Sequence, residues 1–139
     1  MNAVVIGCGR VGSAVAKGLA ADGWEVTVVD ESEDALTRLG PAWRGGFVVG
    51  NGMDVTVLER AGVPDAEAAV VATDGDNTNI VIGQVLGQRY EVGTVVVRIL
   101  DPARAKLYAD RGMSIVCPTQ TAISGLLETV RAARPASAA

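Results

Sequence analysis

The chain contains no histidine, and of its 12 basic residues only two, Lys17 and Lys106, are lysines. The first absence removes the commonest general base and metal ligand from any catalytic scheme. The second leaves no Ser-Tyr-Lys arrangement, since Tyr90 and Tyr108 stand at catalytic helical spacing from neither lysine. Two cysteines, Cys8 and Cys117, have no CxxC partner and no metal-ligand spacing; beside apolar runs they read as buried thiols in a reducing compartment. No apolar run approaches the roughly 18 residues that a membrane-spanning helix needs. A basic n-region is missing before the first apolar run, so no signal peptide is expected. A formal charge of −4 and an isoelectric point near 4.7 argue against a nucleic-acid surface. What remains is a 139-residue chain, 49% hydrophobic with a mean hydropathy of +0.30. That is long enough for one domain with a real core and buried parallel strands.

The densest pattern lies in the first thirty residues. An apolar run, Ala3 to Ile6, leads into Gly7-Cys8-Gly9-Arg10-Val11-Gly12. An Ala-rich helical stretch follows, then a second apolar run, Val26 to Val29, ending on Asp30. This is the strand–glycine turn–helix–strand–acid order of a dinucleotide-binding βαβ unit. Each residue has a physical job in it. Gly7 permits the tight turn, Gly9 lets a phosphate approach the backbone, and Gly12 lets helix and sheet pack closely. The helix offers unpaired N–H groups and the positive end of its dipole to an anion. Asp30 accepts hydrogen bonds from ribose hydroxyls, and Glu31 beside it disfavours a 2′-phosphate, hence NADP.

Apolar runs and helical patterns alternate to the end of the chain. Strands are expected at 3–6, 25–29, 46–49, 68–73, 94–100 and 114–117. Helices are expected at 11–22, 32–39, 54–61, 77–89, 102–110 and 119–133. Ser32, Asp54 and Asp101-Pro102 supply start signals; Gly23, Gly40, Gly62 and Gly112 stand where C-caps belong. Six such units predict an α/β Rossmann fold: a doubly wound parallel sheet of order 3-2-1-4-5-6, with helices on both faces. The ligand crevice is then at the carboxyl edge between strands 1 and 4. The domain is expected over 1–133 and a flexible C-terminal tail over 134–139.

Other strand ends should face that crevice. The two glycines of Gly50-Asn51-Gly52-Met53-Asp54 imply a close backbone approach or a tight turn, and Asp54 reads equally as a ligand contact or a helix N-cap. In Ala72-Thr73-Asp74-Gly75-Asp76-Asn77-Thr78-Asn79 the small residues at 72 and 73 leave room for a nucleoside; Asp74, Asp76 and Asn77 suit a ribose or a cation and equally the cap of the next helix, and no EF-hand-like loop is present. Arg98 interrupts an apolar strand and must find a carboxylate, a phosphate or water. A cleft phosphate and an internal pair with an acid such as Asp74 are both open to it, and Arg10 can flank the same phosphates.

Taken together, Gly7–Gly12, Val28-Val29-Asp30, Gly50–Asp54, Val70–Asp74, Val97-Arg98 and Ile115–Pro118 resemble the nucleotide-binding N-terminal domain (RCK/KTN, TrkA-N) of the Trk/Ktr potassium-uptake regulators. The resemblance covers residues 1 to about 133. It implies a cytoplasmic regulatory domain, not an enzyme, that binds NAD(H), ATP or ADP. Such a domain pairs as a homodimer, assembles into rings, and controls a potassium channel or transporter at the inner face of the membrane. Carried across, Gly7, Gly9, Arg10, Val11 and Gly12 would hold phosphate, Asp30 and Glu31 the ribose end, and Asp54, Thr73 and Asp74 the pocket wall, while Arg98 would meet phosphate. Asn51 departs from the family's frequent acid. No catalytic residue and no metal site are implied. The alternative, the cofactor domain of a small NAD-dependent oxidoreductase, lacks a proton donor or acceptor and residues left over for a substrate domain. The last helix carries Ile123, Leu126, Leu127 and Val130 at i, i+3, i+4, i+7 spacing. Such a stripe covers the chain's own sheet, a partner's surface across a two-fold axis, or both.

Overall fold

The computed structural model describes residues 1–134. Among them six parallel strands form one sheet: β1 (Asn2–Ile6), β2 (Glu25–Asp30), β3 (Gly46–Val49), β4 (Ala68–Val71), β5 (Thr94–Arg98) and β6 (Ser114–Val116). Their order is β3-β2-β1-β4-β5-β6, as the alternation of apolar runs predicts. Register places Ile6 beside both Val29 and Val71, so the carboxyl ends of β2, β1 and β4 finish level. The chain reverses its direction of travel across the sheet between β3 and β4, and this opens a crevice above β1.

Val and Ile residues project from both faces of the sheet, because β-branched side chains pack well on a pleated surface. Ala3, Val5, Val26 and Val28 meet α1 (Arg10–Ala21) and a 3₁₀ helix (Glu33–Leu39) on one face. Val4, Ile6, Val29, Val71 and Val97 meet α2 (Val55–Arg60), α3 (Asp76–Gln84) and α4 (Pro102–Asp110) on the other. Asp54 and Asp101 cap α2 and α4, accepting the N–H of Thr56 at 2.8 Å and of Arg104 at 3.0 Å.

Several expected boundaries move. The segment expected as a helix over 32–39 is wound as 3₁₀, since it buries only Ala35 and Leu39 and packing does not enforce the wider α turn. A short 3₁₀ turn, Val63–Asp65, follows α2, and the expected helix 77–89 ends in a π-helical turn, Val85–Arg89. β4 stops at Val71 rather than 73 because the Thr73 N–H is taken by the Asn79 side chain at 3.0 Å. β5 stops at Arg98 rather than 100, since the Asp76 carboxylate accepts the N–H groups of Leu100 (2.8 Å) and Asp101 (3.0 Å). Of the two thiols expected to be buried, one departs from expectation. Cys8 is fully buried, whereas Cys117 is half-buried because its sulfur caps the last helix, α5 (Pro118–Ala132), accepting the Gln120 N–H at 3.4 Å.

The expected tail, 134–139, lies outside the described residues apart from Arg134. The apolar stripe of α5 does not cover the chain's own sheet. Every residue from 120 to 134 is exposed, with Leu126 at 69% and Val130 at 73%.

Candidate functional site

The crevice above β1 is a cleft of about 700 Å³. Its walls are the turn Gly7–Gly9, the end of β2 with the 3₁₀ segment, the turn Gly50–Met53, and the turn Ala72–Gly75. Three glycines of the first turn serve three distinct ends. Gly7 has φ +100°, and a Cβ there would lie 2.4 Å from the Ala72 carbonyl oxygen. A Cβ on Gly12 would lie 1.7 Å from the Gly7 oxygen, so α1 sits directly on the turn. At Gly9, among the described residues, no atom stands within 4 Å of the Cβ position. That space opens at the amino end of α1. Gly9 is the N-cap and has no side chain to bond the first-turn amides, and the first turn carries no acid. Unpaired N–H groups and a positive dipole end suit an anion at this place.

Asp30 stands across the turn and half-buried. One carboxylate oxygen accepts the Cys8 N–H and the other the Ser32 N–H, each at 2.8 Å. Asp30 therefore ties the glycine turn to the end of β2. Each oxygen keeps lone-pair capacity for a further donor. Burial pushes the Cys8 thiol above its ordinary value, and the Asp30 carboxylate pushes the same way. The thiol donates to the Ala35 carbonyl at 3.4 Å, so Cys8 is a packed, protonated member of the wall.

The sequence-derived residues divide between the cleft wall and its surroundings. Gly7, Gly9, Asp30, Glu31, Thr73 and Asp74 line the cleft together. Arg10 and Val11 are exposed on the first turn of α1, and Gly12 is buried behind it. Asp54 lies outside the wall with its carboxylate spent on capping α2. The glycines at 50 and 52 line the cleft and also pack on the protein's own core: Cβ atoms there would meet Val57 at 2.5 Å and Ile6 at 2.6 Å. Arg98 sits beneath the cleft floor. Its Nη2 donates to the carbonyls of Thr73 at 2.8 Å and Ala72 at 3.3 Å. Exposed Asp74 is 4.0 Å away, the outer limit of an ion pair. Its buried Nε has no hydrogen-bond partner among the described residues.

Two residues of the site were given no role by the sequence reading. Arg38 reaches back from the 3₁₀ segment to the Cys8 carbonyl at 3.1 Å and lines the cleft near Asp30. Asn79, only 1% exposed, binds the Thr73 backbone from below. An amide among the apolar residues of α3 was the available signal for it. Among the described residues no cluster of three His, Cys, Asp or Glu is placed to hold a metal ion.

The chain is similar to several known proteins. The profile of the TrkA-N domain family matches residues 3–118. The Trk system potassium uptake protein TrkA of Streptomyces coelicolor is 40% identical over 116 residues, which are 84% of this chain and 52% of that protein. The chain thus spans about half the length of the curated relatives it matches. Among solved structures, the TrkA-N domain of the inner membrane protein ybaL from Escherichia coli superposes with a TM-score of 0.81 at 19% identity, covering 92% of this chain and 95% of that one. The Kef C-terminal domain of Shewanella denitrificans, in an AMP-bound form, gives 0.79 at 23% identity, covering 99% and 85%. At such identities these two likenesses speak for the fold alone.

Proposed function

The chain belongs to the TrkA-N domain family, and from that premise we propose that it is a nucleotide-sensing regulatory domain for potassium transport. Its ligand is an adenine nucleotide, NAD(H) or ATP/ADP, bound in the cleft above β1. The observation that carries this reading is the uncapped amino end of α1 opening onto empty space at Gly9, with Asp30 facing it. An anion bound there is stabilised by the helix amides, while the ribose hydroxyls meet Asp30. The AMP in the Kef structure and the name of the Streptomyces relative favour the same reading. The domain acts through a membrane potassium channel or transporter on the cytoplasmic side. Among the described residues no helix is long and apolar enough to cross a membrane. Mass spectrometry of small molecules released from protein purified without added nucleotide tests the proposal. An adenine nucleotide is the expected release; protein that releases none and binds none in calorimetric titration overturns it. Failure to turn over NADH with carbonyl substrates separates the regulator from an oxidoreductase.

Asp30→Ala is expected to weaken binding by roughly 1–3 kcal/mol, the range for losing a charged hydrogen-bond partner. It also strips the Cys8 and Ser32 amides of their acceptor, so the melting temperature falls with it. Asp30→Asn keeps an acceptor for only one of the two amides and sets its NH₂ against the other, so a smaller fall in melting temperature is expected for it than for Asp30→Ala. Equal nucleotide affinity in Asp30→Ala and wild type would remove Asp30 from the site.

The reading includes assembly. The exposed face of α5, with Ile123, Leu126, Leu127 and Val130, is the surface we assign to a homodimer, the unit from which a larger ring is built. A two-fold contact places the same helix on both sides. Light scattering should show a dimer at high micromolar concentration and a monomer for Leu127→Asp. A wild-type monomer under those conditions contradicts the assignment.

A further inference from the structure

We propose that Asn79 is a positioning residue of the nucleotide cleft, holding the Thr73–Gly75 turn at the height at which it can meet a ligand. This inference rests on the nucleotide reading above.

The amide is almost wholly buried, and an amide left unpaired there would be costly. All four of its bonding positions are used. Oδ1 accepts both the backbone N–H and the hydroxyl of Thr73. Nδ2 donates to the carbonyls of Thr73 at 3.1 Å and Arg98 at 2.9 Å. The opposite amide orientation would set the NH₂ against an N–H and the oxygen against two carbonyls, so the network itself selects one orientation. Three of the four bonds go to one residue, Thr73, which lines the cleft. The fourth reaches the end of β5, and Arg98 returns from there to the same Thr73 carbonyl at 2.8 Å. The turn is thus held from below by an amide and a guanidinium, neither of which lies in the cleft wall.

An apolar side chain of similar volume would fill this place in the core but leave the Thr73 N–H and hydroxyl without their acceptor and the Arg98 carbonyl without this donor. What the amide adds is a defined conformation of the turn. That conformation bears directly on the candidate phosphate site, because the Ala72 carbonyl abuts Gly7 so closely that a Cβ on Gly7 would lie 2.4 Å from it. A shift of the Thr73 turn therefore moves the cleft wall that abuts Gly7.

The test uses the full chain with ADP and NADH as probes and two substitutions. Asn79→Asp preserves shape but turns a donor into an acceptor facing two carbonyls. Asn79→Leu fills the space and removes every bond. Both are expected to lower affinity for the bound nucleotide at least tenfold in protein that circular dichroism shows to be folded. Hydrogen exchange of residues 73–75 should accelerate while β1 and β2 stay protected. A space-filling role makes the opposite prediction: Asn79→Leu binds within twofold of wild type, which would overturn the proposal. If Asn79→Asp does not fold, Asn79→Leu decides. Should wild type bind neither probe, the nucleotide reading fails, and exchange at 73–75 still reports on Asn79: unchanged exchange in the variants overturns its hold on the turn.

Discussion

Gly12→Ala is expected to destabilise the fold by on the order of 3 kcal/mol, the upper part of the range for overpacking a close contact. For a domain of this size that lowers the melting temperature by roughly 10 °C. The added methyl would lie 1.7 Å from the Gly7 oxygen and 2.8 Å from its carbonyl carbon. Those atoms cannot yield cheaply. The Gly7 N–H is bonded to the Val29 carbonyl at 2.8 Å, its φ is +100°, and its Cα faces the Ala72 carbonyl. The relief left is for α1 to lift from the turn, which uncovers Val5 and Val28 beneath it. Thermal and urea denaturation read the effect. A variant with the wild-type midpoint would contradict the seating of α1 on the glycine turn.

Gly9→Val is expected to do the reverse: to spare the fold and abolish nucleotide binding, with affinity falling about 100-fold or more as the phosphate loses its approach to the α1 amides. The backbone at Gly9 is extended, φ −80° and ψ −161°, a conformation that β-branched residues accept readily. With no described atom within 4 Å of the Cβ position, the melting temperature should move by no more than a surface substitution moves it, about 0.5 kcal/mol in stability. Calorimetric titration with ADP and NADH, beside a thermal melt, tests both halves. A folded variant that binds as tightly as wild type would displace the phosphate from this turn. The pair of glycines, three residues apart, thus separates a packing function from a ligand function within one motif.

The sequence carried more of the fold than of the site. Period and composition were enough for all six strands, because parallel strands covered on both faces, as β1 and its neighbours are, must be apolar along most of their length, and the shorter edge strands β3 and β6 are mostly apolar runs as well. The order β3-β2-β1-β4-β5-β6 followed from the alternation of strand and helix with right-handed crossovers. The glycine turn and Asp30 were legible since their spacing is local. Arg98 was legible as a residue needing a partner, and Asp74, one of those open to it, stands 4.0 Å away, but the backbone carbonyls that take its hydrogen bonds were not legible. The Thr73 and Ala72 carbonyls lie 25 and 26 positions away, and nothing in a strand's own residues says which neighbouring turn its end will meet.

The same physics separates what the chain's order determined from what folding decided. Strand, turn and helix character depend on residues within a few positions, so Val and Ile runs, Gly7 and the caps at Asp54 and Asp101 declare themselves one by one. The ends of β4 and β5, the hold of Asn79 on Thr73, and the reach of Arg38 to Cys8 depend on hydrogen bonds between segments that only the packed sheet brings together. The stripe on α5 shows the division most sharply. Its apolar spacing follows from the sequence, but whether the sheet lies beneath it was a matter of where β6 ends and how the helix leaves it. In the folded chain that face stands in solvent, because β6 is a three-residue edge strand and α5 departs from it without burying a side chain.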